Sequence, residues 1–160
     1  MTTDRQVLIE RVFNAPRELV FKAWTDPEYL ERWYAPRGCS LEIRRMDVRE
    51  GGSLHTCIHT AGMGDCWVKG RYLEVVAPER VVYTMSLSDE YGGEPSESNA
   101  GKDPDWPRET TVTVTFVEQD GKTLVTLKQT VLESIAKRTG AYPSWLQMLD
   151  RLEESLAATT

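Results

Sequence analysis

Residues 142–157, YPSWLQMLDRLEESLA, read as one amphipathic helix. Trp145, Met148, Leu149, Leu152 and Leu156 share one face at i, i+3, i+4, i+7 and i+11, and Gln147, Asp150, Arg151, Glu153 and Glu154 take the other. Pro143 suits the first turn, with Ser144 or Tyr142 at the cap. An apolar stripe about four turns long must be covered. Nearly everything before it reads as β-strand, so the expected cover is a sheet curling around the helix.

Residues 6–14 form the first expected strand, from their β-branched content. Ala15-Pro16 ends it and opens a helix, PRELVFKAWT, with Leu19, Val20, Ala23 and Trp24 on one face. Asp26-Pro27-Glu28 starts a second, short helix reaching about Trp33: a cap, a proline at the first position and an acid in the first turn. Six further strands are expected at 40–48, 53–60, 66–76, 80–87, 109–119 and 122–131. Gly51-Gly52, Gly62 and Gly64, Ala77-Pro78 and Asp120-Gly121 mark their turns. Residues 133–139 make a separate helical turn stopped by Gly140. Residues 88–108, rich in acids, prolines and glycines, are expected to be a long exposed loop with Trp106 as anchor. Strands in a run before a long helix imply an α+β domain on an antiparallel sheet. At 160 residues, 1–160 is most simply one domain.

The charge and apolar patterns exclude several classes. A net charge of -6, with no basic cluster longer than Arg44-Arg45, argues against a nucleic-acid groove. No apolar run approaches the ~20 residues of a membrane helix, and the N-terminus, with acids and an arginine in its apolar segment, is no secretory signal. A cytoplasmic protein is expected, with Cys39, Cys57 and Cys66 as free thiols.

The order of these pieces resembles the helix-grip fold of the SRPBCC superfamily, which includes the START and birch-pollen-allergen proteins. Within it the chain resembles the branch homologous to the C-terminal domain of the activator of the ninety-kilodalton heat-shock protein ATPase. The resemblance is carried by FNAPRELVFKAWTDPEYLERWYAPRG at 13–38, REGG at 49–52 and GRYLEVVAPERVVYT at 70–84. TVTVTFVEQDGKTLVTL at 111–127 and WLQMLDRLEESL at 145–156 continue it. It implies a seven-stranded antiparallel sheet gripping the terminal helix, with two short helices closing one side. The fold hosts transport, sensing, catalysis and co-chaperone work, so it does not choose among them.

Strand parity then assigns faces. A pairing sum near 126, centred near Met63, sets His59 opposite Trp67, Cys57 opposite Lys69 and His55 opposite Arg71. Two cations beside the His/Cys face mark it as the solvent side. Leu54, Thr56, Ile58, Val68, Gly70, Tyr72 and Glu74 then point inward, and Tyr72 faces Tyr83, with Met85 on the same side. Val112, Val114, Phe116, Val125, Leu127 and Gln129 point inward on the last hairpin. The expected site is a pocket for a small hydrophobic or amphipathic molecule between sheet and helix. Trp33 and Tyr34 stand at its mouth, Leu54, Thr56, Ile58, Tyr72, Tyr83, Met85, Val112, Val114 and Gln129 line the sheet side, and Trp145, Met148 and Leu149 line the helix side. Tyr72, Tyr83 and Gln129 would orient the ligand. The plainer reading of Trp24, Trp33, Tyr34 and Trp145 is core packing.

Other chemistry is weighed against this. His55, Cys57 and His59, with Cys66 nearby, have the residue types of a zinc site, but the facing Lys69 and Arg71 would repel a dication, so no metal is expected. An inward Glu74 beside the tyrosines is the one acid–base candidate, for a polyketide-like or aromatic substrate. No catalytic residue and no cofactor is assigned. The alternatives to ligand binding are a stress-related protein-interaction module, using the sheet exterior or the long loop, and that enzyme. An edge strand is also open to pairing into a homodimer.

Overall fold

A computed structural model describes residues 4–60, 62, 64–95 and 103–159. Met63, the expected centre of one hairpin, and residues 96–102 of the long loop lie outside the described residues. The elements are β1 (Gln6–Phe13), α1 (Arg17–Thr25), α2 (Pro27–Leu30), β2 (Cys39–Met46), β3 (Ser53–Thr60), β4 (Gly64–Val76), β5 (Arg80–Leu87), β6 (Thr110–Gln119), β7 (Lys122–Leu132), α3 (Glu133–Thr139) and α4 (Ala141–Thr159). The seven strands form one antiparallel sheet in the order β1-β7-β6-β5-β4-β3-β2. Its concave face holds α4, with α1 and α2 at one end. This is the α+β helix-grip architecture.

The expected stripe of α4 is what the sheet covers: Trp145, Met148, Leu149, Leu152 and Leu156 are all buried. They meet Val7, Ile9, Phe13, Val112, Val114, Phe116, Val125 and Leu127 in one core. The β6–β7 register is the expected one, with Phe116 opposite Val125, Val114 opposite Leu127 and Val112 opposite Gln129. Its turn places Asp120 at φ 53° and Gly121 at φ 79°, a pair of left-handed residues that asparagine, aspartate and glycine tolerate best.

α4 is also tied by polar bonds. Gln129 is buried, and both ends of its amide are used: Trp145 Nε1 donates to its Oε1 at 2.9 Å, and its Nε2 donates to Thr110 Oγ1 at 3.1 Å. Arg11 reaches Asp150 at 2.6 Å. Arg151 donates to the carbonyls of Arg32, at 3.0 Å, Ala35 and Pro36. Those bonds hold the turn after α2, which is helical only to Leu30 rather than to Trp33. Asp26 caps α2 as expected, its side chain accepting from Glu28 N at 3.0 Å with Pro27 following.

Two expectations about β4 are corrected. Its register with β3 is shifted by two: His59 faces Asp65, Cys57 faces Trp67, and His55 faces Lys69. A shift of two preserves which face each residue takes, so Leu54 and Thr56 still point inward. On the β5 side, Tyr72 does face Tyr83, but a bulge follows and Glu74 pairs with Val82. That extra residue turns Glu74 outward, where it pairs with Arg80 at 2.8 Å, half exposed. The acid–base candidate therefore lies on the wrong face of the sheet.

The long loop is also less exposed at its start than its composition suggests. Ser88 is fully buried, and Asp89 accepts from the backbone N–H groups of Tyr91 and Gly93. The resulting turn lies over the outer face of β3 and β4, taking Lys69 on the Gly92 carbonyl and Arg44 on the Glu90 carbonyl. Trp106 packs against the core as the anchor at the loop's far end.

Candidate functional site

The aromatic side chains of the core form a continuous edge-to-face series. Phe21 meets Phe116 at 5.3 Å, Phe116 meets Trp24 at 5.8 Å, and Trp24 meets Trp33 at 4.5 Å. Trp33 meets Tyr34 at 5.3 Å, and Tyr34 meets Trp145 of α4 at 5.8 Å. Such contacts orient rings as well as burying them. The series carries the Tyr34 phenol from the α2 turn to the middle of the sheet, where its oxygen lies 2.8 Å from that of Tyr83. The Tyr34 hydroxyl also points at the Met85 sulfur, 4.0 Å away.

Beside this pair is a cavity of about 20 Å³, lined by Trp24, Leu30, Tyr34, Leu54, Thr56, Val68, Tyr72, Tyr83 and Met85. That is room for roughly one water molecule. Its wall is apolar apart from three phenols, one hydroxyl and one indole N–H. The indole is Trp24, whose buried Nε1 approaches the Tyr83 hydroxyl without reaching full hydrogen-bond geometry. It lies close enough to the Tyr83 phenol to draw that pKa down slightly, against a larger upward push from burial that brings Tyr83 to about 12. Burial first, and then the neighbouring Tyr83, hold Tyr34 well above the ordinary phenol range, and burial does the same for Tyr72. The phenols are therefore neutral at physiological pH, and the cavity presents hydroxyls and an N–H with no charge.

Of the expected ligand-lining residues, Tyr34, Leu54, Thr56, Tyr72, Tyr83 and Met85 meet at this cavity. The rest do not reach it. Val112, Val114, Met148 and Leu149 fill the core between α4 and the sheet. Trp33 lies behind Tyr34, donating to the Ala23 carbonyl at 3.0 Å. Trp145 and Gln129 satisfy each other. Ile58 sits half-buried farther out on β3. The residual space is thus under the α1–α2 turn rather than under α4, because the large side chains of α4 occupy the centre of the grip. Trp24 and Leu30 belong to the lining and were not expected there, and Val68, expected on the inner face, joins them. A tryptophan on an apolar helix face signals packing, and its unpaired N–H is invisible until its neighbours are placed.

The model of the family described as Activator of Hsp90 ATPase homolog 1-like protein matches residues 14–157. The chain belongs to this family. Its membership supports a ligand-binding or co-chaperone-like domain. A solution structure from Staphylococcus epidermidis is 27% identical, with 100% of this chain and 94% of that one covered and a TM-score of 0.79. Protein CV1439 from Chromobacterium violaceum is 26% identical over 94% of this chain and 96% of its own, with a TM-score of 0.77. The AHSA1 protein of Silicibacter pomeroyi shares the fold at 19% identity, TM-score 0.76, over 98% and 100% of the two chains. No curated protein matches the chain significantly. Among the described residues, no helix is long and apolar enough to cross a membrane.

Proposed function

We propose that this member of the family binds a small, mainly apolar molecule carrying one hydrogen-bond acceptor, seated between the α1–α2 turn and strands β3 to β5. The observation that carries the reading is the buried Trp24 Nε1 donor in the wall of this cavity, which makes no full hydrogen bond and has the Tyr83 hydroxyl as its near neighbour. An unpaired buried N–H costs about 1–3 kcal/mol, which a ligand carbonyl or ether oxygen would recover. Neutral neighbours favour an uncharged acceptor over an ion. The cavity is about 20 Å³, so such a ligand would enter only with the Leu30–Tyr34 turn moved off the sheet, against the bonds Arg151 makes to the carbonyls of Arg32, Ala35 and Pro36. Apolar burial at roughly 25 cal/mol per Å², less binding costs, then supplies the affinity.

Native mass spectrometry of gently purified protein, compared with its denatured mass, tests this reading. The expected result is a stoichiometric adduct that leaves on denaturation and is lost in Trp24→Phe. An adduct retained in Trp24→Phe, or a bare mass after incubation with neutral aromatic ketones, contradicts it.

A second reading, a protein-interaction module, is favoured by the family and by an exposed apolar group on the outer face of the sheet. Leu8, Val12 and Val117 are each about half exposed there, Val12 and Val117 both pairing with Leu124. A pull-down by the family's chaperone ATPase that is lost in Val12→Asp would support it.

A further inference from the structure

On the outer face of the β3–β4 hairpin, away from the cavity, Cys57, His59 and Asp65 each present a metal-ligating atom, all within 4.8 Å of one another. The Cys57 sulfur is 3.8 Å from His59 Nδ1, which is 2.9 Å from an Asp65 oxygen. The other ring nitrogen, Nε2, is held by Glu42 of β2 at 2.9 Å. We propose that these three side chains bind a zinc-class divalent cation, with Glu42 as the carboxylate that orients the histidine and the fourth position open to water. This site is independent of the ligand cavity.

Three observations carry it. The first is the donor spacing. Tetrahedral zinc, at about 2.3 Å from sulfur and about 2.0–2.1 Å from nitrogen or oxygen, sets its donors roughly 3.3–3.6 Å apart, so closure requires shifts of only a few tenths of an ångström between Cys57 and His59 and between His59 and Asp65. The second is the histidine. Both ring nitrogens face carboxylates, which the metal-free protein satisfies with a proton on each nitrogen, and a cation replacing the Nδ1 proton would keep both contacts. A Glu42–His59–metal relay is the arrangement that fixes the tautomer at ligating histidines. The third is charge. Burial and the neighbouring carboxylates push the Cys57 thiol up to about 12, so metal binding must displace its proton; Cys57, Asp65 and Glu42 then carry three negative charges against the one positive charge of Arg44, which meets Glu42 at 2.8 Å. Two negative charges remain for a dication to neutralise. One thiolate, one imidazole and one carboxylate form a borderline-soft set that suits zinc over magnesium or calcium.

The observed register also removes the objection raised by the sequence. Lys69 faces His55 and donates to the Gly92 carbonyl, and Arg71 faces Ser53, so neither cation stands opposite Cys57 or His59. Cys66 pairs with Ile58, whose parity puts it on the other face, and His55 is turned to the Asp89 carbonyl at 3.2 Å. Asp65 takes the place the sequence offered to Cys66.

Titration of chelator-treated protein with cobalt(II), followed by optical absorption, tests the site. The expected result is one equivalent bound, with a thiolate-to-cobalt charge-transfer band and visible bands of tetrahedral intensity, all bleached by one equivalent of zinc(II). His59→Ala, at a half-buried position, and Asp65→Asn, at an exposed one, should weaken cobalt binding tenfold or more. Cys57→Ser should abolish the charge-transfer band, and Cys66→Ser should leave it unchanged. No thiolate band at excess cobalt, a band that depends on Cys66 or Cys39 instead, or unchanged affinity in Asp65→Asn overturns the assignment.

Discussion

The phenol oxygens of Tyr34 and Tyr83 lie 2.8 Å apart in the fully buried centre of the protein, joining the α2 turn to strand β5. Removing either hydroxyl leaves the other short of its partner, at a cost of about 1–3 kcal/mol. Removing both leaves an apolar contact. Urea unfolding of Tyr34→Phe, Tyr83→Phe and the double variant should therefore show the double variant losing less than the sum, by about 1 kcal/mol. Strict additivity would mean that the bond does not couple turn and strand.

The same burial makes the fold sensitive to alkali. In the unfolded chain these phenols ionise near the ordinary value of about 10. In the folded protein burial raises Tyr34 and Tyr72 above it and brings Tyr83 to about 12. The folded state thus holds protons that the unfolded state has released. The stabilisation is fully present below about pH 10 and is lost as pH rises through about 12. For Tyr83 alone it is on the order of 3 kcal/mol. Circular dichroism against pH should show unfolding beginning above about pH 10, and the fall in stability over that range should be shallower in Tyr83→Phe. A stability that stays flat to pH 12 in the wild type would contradict this.

Gln129 faces the core as its strand parity requires, but its function there is structural. Gln129→Leu leaves the Trp145 indole N–H unpaired and should cost about 2–4 kcal/mol, without changing ligand affinity. Denaturant midpoints measure the first, and titration with a bound ketone measures the second. A large affinity loss at unchanged stability would move Gln129 into the site.

Gly70 sits where β4 passes close against β5. A Cβ there would lie 1.9 Å from the Thr84 carbonyl oxygen. The Thr84 hydroxyl already accepts from Arg71 N at 3.0 Å, so the strands are drawn together around this residue. Gly70→Ala must push them apart, losing about 3 kcal/mol or more by thermal or urea unfolding. A loss under 1 kcal/mol would show that the strands separate freely at this point.

The elements and the inward faces were legible because period-2 and period-3.6 apolar patterns leave few alternatives. The Asp120-Gly121 turn and the Gln129 parity follow from that logic. What was not legible came from single backbone steps. The β3–β4 register depends on where its turn closes, and a different centre moved Asp65 opposite His59. One bulge after Tyr72 sent Glu74 outward. The turn at Ser88–Gly93 has few apolar anchors, and is held instead by Asp89 and by carbonyls that Arg44 and Lys69 reach. Composition does not encode such contacts. The cavity was placed too near α4 because the sequence shows which side chains face inward and not how completely they fill the space.

The most direct measurement is the proton–nitrogen spectrum of the five tryptophan indoles during titration with a neutral aromatic ketone. Trp33 and Trp145 donate to protein acceptors, whereas Trp24 makes no full hydrogen bond and only approaches the Tyr83 hydroxyl. The expected result is saturable downfield movement of the Trp24 Nε1–H resonance, with those of Trp33 and Trp145 nearly fixed. A Trp24 resonance that stays in place while the ketone binds, or while the surface tryptophans respond instead, would contradict it.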